Sequence, residues 1–203
     1  MSENIQVIDK PIDLLLRPMK LWRHSEIMVI PCPIPGEPGV YGWYFKKLSS
    51  QVPSEGCCPF EGFALLYVGI SPSEPAKSGK QSLQNLKTRI RTHFGGNAFG
   101  STLRLTLGCL LKEELGIRLQ CVGNSGRLTF GEGENKLSHW MAENALVNWV
   151  VQKNPWEYEK EIIRTFNLPL NLKGNETHSF HPILSDIRAA CRRKAREGYK
   201  GKK

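Results

Sequence analysis

Two short stretches of the chain carry glycine beside tyrosine within an apolar, aromatic run. They read GVYGWYF over Gly39–Phe45 and LLYVGIS over Leu65–Ser71. Their β-branched, aromatic and bulky aliphatic residues predict a strand in each case. Glycine weakens a strand interior unless a bulge, a bend or the close approach of another group requires it. The two stretches therefore predict a crowded site lined by the phenol groups of Tyr41 and Tyr67.

A helix is predicted from about Ser82, because apolar residues recur there at helical spacing: Leu83, Leu86, Ile90 and Phe94. Arg89 and His93 lie four residues apart at the border of this stripe, so their side chains are neighbours on the helix surface. An arginine and an imidazole in this arrangement can act together on one bound group.

Glu143 occupies an unusual position in a second predicted helix, LSHWMAENALVNWVVQK, for which Ser138 is the expected N-cap. On a helix from His139 to Gln152, Glu143 projects among apolar residues: Trp140, Leu146, Val147 and Val150. A buried carboxylate is costly unless it is paired, neutralised or bound to a metal. Glu143 is therefore predicted to have a buried partner, either an arginine or a metal ion.

The composition is that of a folded protein with one domain of ordinary size. The chain has 203 residues, of which 40% are hydrophobic and 23% are charged, so one core is expected rather than two full domains. No apolar run approaches the roughly 18 residues that a membrane span needs. The first residues include an acid and no apolar h-region, so no signal peptide is expected. These features predict a cytoplasmic protein that does not associate with membranes.

Positive charge is concentrated at the C-terminal end. The net charge is +9, and the last 18 residues hold eight basic residues against two acids. Clustered cations gain affinity for a polyanion by releasing its counterions, so nucleic acid is the expected partner. The alternative is a solvated, frayed helix. The residues expected to contact nucleic acid in this segment are Arg188, Arg192, Arg193, Lys194 and Arg196.

The other segments set the predicted boundaries: an N-terminal arm over 1–36, a central domain over 37–175 and a basic extension over 176–203. Within the domain, TLRLTLGCLL favours a helix by a small margin, and IRLQCVGN with GRLTFGEG favours a hairpin. The segment before the basic extension favours a short helix and a last strand.

The order of these residues resembles that of the GIY-YIG nuclease superfamily. Five elements fall in the family's order: Gly39-Val40-Tyr41, Tyr67-Val68-Gly69, the helix with Arg89 and His93, the helical Glu143, and Asn171 in LPLNL. The resemblance implies an α/β (α+β) fold with a small three-stranded antiparallel sheet flanked by helices. It also implies that the tyrosines, arginine, glutamate and asparagine surround one divalent ion and a scissile phosphate. Asn175 lies close by and is an alternative to Asn171.

The activity that this resemblance implies is metal-dependent hydrolysis of phosphodiester bonds by an endonuclease, with DNA as the expected substrate. Glu143 would hold one Mg²⁺ or Mn²⁺, and Arg89 would add positive charge at the phosphate. Tyr67 is the general base by resemblance. His93, with a reference pKa of about 6.5, is better poised for that role at neutral pH. Tyr41 or His93 would then orient the water.

Three further residues, Gly69, Arg91 and Arg104, are also expected to contact nucleic acid. In particular, Gly69 would let the phosphate backbone approach its strand. Paired cuts in a duplex would indicate a homodimer, since the family's site holds one metal ion and one scissile phosphate. The alternative from another functional class is a module that keeps the fold and binds nucleic acid without cutting it.

Overall fold

The structure is a computed structural model that describes residues 11–46, 48–76, 78 and 82–199. The helices are α1 (Pro11–Leu16), α2 (His24–Ile27), α3 (Leu86–Gly95), α4 (Thr102–Leu110), α5 (Gly133–Asn144), α6 (Pro155–Thr165) and α7 (His181–Glu197). The strands are β1 (Gly39–Phe45), β2 (Pro59–Phe60), β3 (Phe63–Ser71), β4 (Gln120–Val122), β5 (Arg127–Thr129) and β6 (Ala145–Val151). No helix within these residues is both long and apolar enough to span a membrane.

An antiparallel sheet with the strand order β2-β3-β1-β6 forms the centre of the molecule. The predicted α/β class, with an antiparallel sheet flanked by helices, is confirmed. The sheet has four strands rather than three, because the two residues of β2 add to one end of β3. The predicted hairpin is present as β4 and β5, and the run TLRLTLGCL forms helix α4.

Strand β6 lies where the sequence predicted the second half of a helix. Helix α5 ends at Asn144, and Ala145 is already extended, with φ −123° and ψ 136°. From Ala145 to Val151 the chain pairs with β1 along the whole of that strand. The prediction of a helix to Gln152 is therefore wrong beyond Asn144, because strand pairing decides the conformation of a segment rich in β-branched residues. The last strand predicted before the basic extension is also wrong, since the described residues between α6 and α7 form none.

Hydrophobic side chains are buried on both faces of the sheet. On one face, Tyr41, Trp43 and Phe45 of β1 belong to a core shared with α3, α4, α5 and α7. On the other, Val40 and Tyr44 belong to a core shared with α1 and α6. Every residue of β1 is buried, which explains why its sequence is continuously apolar instead of alternating.

Both terminal segments pack against this centre where the structure describes them. Trp22 exchanges backbone hydrogen bonds with Val147 of β6, and the Tyr44 hydroxyl donates to the carbonyl of Leu15 at 2.7 Å. Helix α7 packs on α4 and β4. The side chains that α7 buries are Leu184, Arg188, Cys191 and Ala195.

Candidate active site

A cavity of about 890 Å³ opens beside β3. Because β2 pairs only with Phe63 and Ala64, the rest of β3 is left as an edge. The segment 170–174 borders the cavity, as do residues of α3, α4, α6 and α7. Its lining carries six basic and three acidic side chains. This excess of positive charge suits an anionic ligand.

Tyr41 connects the two residues of the predicted Arg89–His93 pair. Its Oη lies 2.8 Å from Nε2 of His93 and accepts a hydrogen bond from Nε of Arg89 at 3.3 Å. Nη1 of Arg89 donates to the carbonyl of Gly100 at 2.9 Å. The structure therefore brings these three side chains together and fixes the guanidinium of Arg89 at both ends.

His93 is fully buried and is not among the side chains that line the cavity. Its second ring nitrogen, Nδ1, lies 2.6 Å from Oγ of Ser101, the N-cap residue of α4. Burial lowers the pKa of His93 well below its usual value, and the nearby guanidinium groups of Arg89 and Arg104 act in the same direction. A neutral imidazole at this position contacts Tyr41 rather than a ligand in the cavity.

Tyr67 is the more accessible of the two phenols. It is partly buried and lines the cavity, whereas Tyr41 is only 1% exposed. The Oη of Tyr67 lies 3.5 Å from Oγ1 of Thr102. Burial raises the pKa of Tyr67, and Thr102 and Arg89 act in the opposite direction. Both phenols border the cavity, and Tyr67 presents the larger exposed surface to a ligand there.

Gly69 faces Tyr41 directly across the β1–β3 pair. A Cβ atom at position 69 would lie 2.5 Å from Oη of Tyr41, and Gly69 also lines the cavity. A side chain at position 69 would thus overlap the Tyr41 phenol, and only glycine leaves room for it. The approach of a phosphate backbone is not needed to explain this glycine.

Asn171 clips the segment after α6 to the edge of β3. Its Oδ1 accepts from the Val68 N–H at 2.9 Å, and its Nδ2 donates to the Val68 carbonyl at 2.8 Å. Asn175 instead donates to the carbonyls of Leu168 and Asn171 and supports the same turn. Of the two asparagines, Asn171 is the one that borders the cavity.

Glu143 lies in a different environment from the one predicted. Its side chain is 64% exposed at the end of α5, and its Oε1 is 3.3 Å from Nε2 of His139, which is 81% exposed. The prediction that it projects among apolar residues is wrong, because that placement required the helix to continue past Asn144. Glu143 is not among the residues that border the cavity.

The sequence model of the GIY-YIG catalytic domain matches residues 39–190, three quarters of the chain. The chain belongs to this family. Comparisons with curated proteins and with solved structures gave no match. The match spans both tyrosine motifs, the Arg89 helix and the chain from β6 into α7, so it contains every residue that lines the cavity except Arg192.

Sequence reasoning missed Glu159, one of the three carboxylates that line the cavity of this GIY-YIG protein. It lies on α6 and lines the cavity with Tyr41, Tyr67 and Arg89. None of the ion pairs formed by the described residues includes it. Burial raises the pKa of Glu159 to about 6, although nearby cations, Lys173 first, act in the opposite direction.

A signal for Glu159 was present in the sequence. Ile162 and Ile163, three and four residues further along α6, are both buried, so Glu159 lies on the apolar face of an amphipathic helix. Glu143 was singled out as a carboxylate on the apolar face of a helix. Because α5 ends at Asn144, that description does not hold for Glu143, and it does hold for Glu159 on α6.

The basic residues of this GIY-YIG protein that were predicted to contact nucleic acid lie in four different environments. Arg188 and Arg192 line the cavity, and Arg193, Lys194 and Arg196 lie exposed on α7. Arg91 is partly buried on α3 and does not border the cavity. Arg104 is fully buried and pairs with Glu134 at 2.8 Å. The expectation that Arg104 contacts nucleic acid is wrong, because it lies in a helix whose residues 103–110 are all buried.

Substituting Gly69 by alanine is expected to displace the Tyr41 phenol, because the new methyl group would overlap Oη. The displacement breaks the contacts of Tyr41 with Arg89 and His93. Cleavage of nucleic acid should fall at least about tenfold in a protein that still folds, as for loss of a positioned catalytic group. Gly36→Ala is the control, since a Cβ there meets only one atom, at 3.9 Å. Equal activity of the two variants would contradict this account of Gly69.

Proposed function

We propose that this GIY-YIG protein is an endonuclease that hydrolyses phosphodiester bonds in DNA with the help of one divalent metal ion. The observation that carries the proposal is the placement of an unpaired carboxylate, Glu159, in one positively charged cavity with Arg89 and two phenols. Hydrolysis of a phosphodiester needs an activated water, neutralisation of phosphoryl charge and a stabilised leaving oxygen.

The donor set fits one Mg²⁺ or Mn²⁺ ion. Among the described residues no group of three or more histidines, cysteines or carboxylates could enclose a metal. Mg²⁺ commonly binds through one or two carboxylates and completes its shell with water and substrate phosphate oxygens. Glu159, which has no ion-pair partner within the described chain, would hold the ion. When bound, the ion would polarise the phosphate and stabilise the leaving oxygen.

Arg89 is assigned to the scissile phosphate. Nε and Nη1 of its guanidinium are engaged by Tyr41 and Gly100, which leaves Nη2 and the second N–H of Nη1 to donate to phosphate oxygens. Because both anchors are within the protein, the cation is oriented before substrate binds. Tyr41 and His93 position Arg89, and Asn171 holds the strand that carries Tyr67.

Tyr67, after losing its phenolic proton to solvent, is assigned as the phenolate that takes the proton from the attacking water. It is supported over His93 because it borders the cavity, whereas His93 is buried behind Tyr41. A phenol whose pKa is raised by burial is a poor base at pH 7, so the assignment requires the positive charge of Arg89 and of the bound ion nearby.

Replacing Tyr67 by phenylalanine is expected to reduce the single-turnover cleavage rate about a hundredfold or more, as for loss of a general base. His93→Gln should also slow the reaction, because Tyr41 loses a partner, but the shape of the pH–rate profile should stay that of the wild type. The measurement is the rate from pH 5.5 to 9 for both variants. Loss of the acidic limb only in the His93 variant would contradict the Tyr67 assignment.

Nicking of supercoiled plasmid DNA tests the proposed function. Wild-type protein should relax the plasmid in Mg²⁺ or Mn²⁺ and leave it intact in EDTA, and it should cut an RNA of matched sequence more slowly. Linear product that forms without a relaxed intermediate would indicate a homodimer that cuts both strands. DNA binding without cleavage under either metal would contradict the proposal and favour a non-catalytic binding module.

A further inference from the structure

Two arginines among the described residues are buried, and they differ in how their charge is satisfied. Arg104 is 0% exposed and its guanidinium makes two hydrogen bonds to Oε2 of Glu134. It also donates to the carbonyls of His93, Phe94 and Glu134 and to Oγ of Ser138. Arg188 is 8% exposed, and its Nε is buried without a hydrogen-bond acceptor in the described part of the chain.

A buried N–H group without an acceptor, such as Nε of Arg188, is costly, since it loses the hydrogen bond that it makes with water. None of the ion pairs within the described ranges includes Arg188. Burial lowers the pKa of Arg188, and the charge of Arg192, one helical turn further along α7, acts in the same direction. Two guanidinium groups four residues apart on one helix face repel each other, and an anion bound to both would offset both penalties.

The side chain of Arg188 borders the same cavity as Glu159 and Arg89. Ser185, Arg188 and Arg192 occupy one face of α7 and all line it, as expected for positions three and seven residues apart. The cavity volume of about 890 Å³ is that of sites which hold a drug-sized ligand. It therefore has room for more than the single phosphate group assigned to Arg89.

We propose that Arg188 and Arg192 form a second phosphate subsite, which binds a backbone phosphate of the nucleic acid next to the scissile one. This inference rests on the proposed function, whose cavity it extends. The planar guanidinium presents paired N–H donors that match phosphate oxygens. A phosphate bound by the largely buried side chain of Arg188 would be held more strongly than one bound by the exposed cations on the far side of α7, because water screens it less.

The test measures DNA binding in EDTA, where no cleavage occurs, by fluorescence anisotropy of a labelled duplex over a series of KCl concentrations. Arg188→Met is compared with Arg193→Met, which changes a side chain that is 68% exposed, lies on the same helix and does not border the cavity. Arg188→Met should bind at least about tenfold more weakly at low salt. Its slope of log K against log salt should fall by about 0.9, the loss of one phosphate contact on duplex DNA.

Thermal unfolding of the same variants without DNA distinguishes a binding role from a structural one. Arg188→Met should melt at the wild-type temperature or above it, because the substitution removes an unpartnered buried charge. A fall in melting temperature with unchanged DNA affinity would overturn the proposal, and so would a loss of affinity and slope no larger than that of Arg193→Met.

Plasmid nicking tests the nuclease proposal, and the salt slope of DNA binding tests the phosphate subsite, so the two can fail independently. If wild-type protein shows the Arg188-dependent salt slope but fails to nick plasmid in Mg²⁺, the nuclease proposal fails and the phosphate subsite stands. If the wild type nicks plasmid and Arg188→Met binds DNA with the wild-type slope, the subsite is refuted and the nuclease proposal stands.

Discussion

Substitution of Glu159 by glutamine is expected to lower Mg²⁺-dependent cleavage at least about a thousandfold, because a metal-bound carboxylate supports several kcal/mol of charge stabilisation in the transition state. The amide keeps the shape of the side chain and removes its negative charge. Single-turnover cleavage of a labelled duplex is the measurement. Glu161→Gln is the matched control, since Glu161 lies exposed on the same helix and outside the cavity. It should cleave at the wild-type rate.

The same substitution should leave the folded protein slightly more stable in EDTA. Burial raises the pKa of Glu159 from 4.5 to about 6, so ionisation of this group is more costly in the folded than in the unfolded protein. Its unfavourable contribution is therefore absent below pH 4.5, grows as the pH rises and is complete above about pH 6. At pH 7.5 the free energy of unfolding of Glu159→Gln should exceed that of the wild type by on the order of 1 kcal/mol. A large loss of stability would instead indicate a structural ion pair.

Substitution of Arg104 by methionine is expected to destabilise the fold by about 3–5 kcal/mol, the cost of breaking a buried ion pair by removing one partner. Glu134 would stay partly buried without its cation, and the carbonyls of His93 and Phe94 at the end of α3 would lose their donor. Because α3 carries Arg89, cleavage should also fall where the variant is folded. Urea unfolding measures the change.

The control for Arg104→Met is Arg188→Met, which removes the other buried arginine. The first variant should lose stability and the second should not, since only Arg104 has a full set of partners in the described chain. Similar urea midpoints for the two variants would contradict the assignment of Arg104 to the fold and Arg188 to ligand binding.

Much of the cavity follows from local sequence patterns. Strand geometry along β1 and β3 and the turn of α3 predict the directions of the side chains, and spacing paired Arg89 with His93. The resemblance to the GIY-YIG superfamily was needed to group that pair with Tyr41 and Tyr67. The sequence also indicated that the basic C-terminal segment is helical. It could not show that one face of α7 forms a wall of the cavity, because that depends on packing against α4 and β4.

The choice between Glu143 and Glu159 could not be made from local pattern alone. The segment after Glu143 has a mixed periodicity, and its pairing with β1, far away in sequence, decides that it is a strand. The contrast between Arg104 and Arg188 has a similar origin. Both are arginines on helices with apolar neighbours, and the partner that separates them, Glu134, lies 30 residues from Arg104.

Single-turnover nicking of supercoiled DNA in Mg²⁺ by Glu159→Gln and Glu143→Gln tests the central claim, that the carboxylate of α6 serves the reaction. Glu143→Gln should cleave within about twofold of the wild-type rate, because it changes an exposed residue outside the cavity. Glu159→Gln should give no cleavage above the EDTA background. The reverse result, in which Glu143→Gln fails to cleave and Glu159→Gln cleaves at the wild-type rate, would contradict the account.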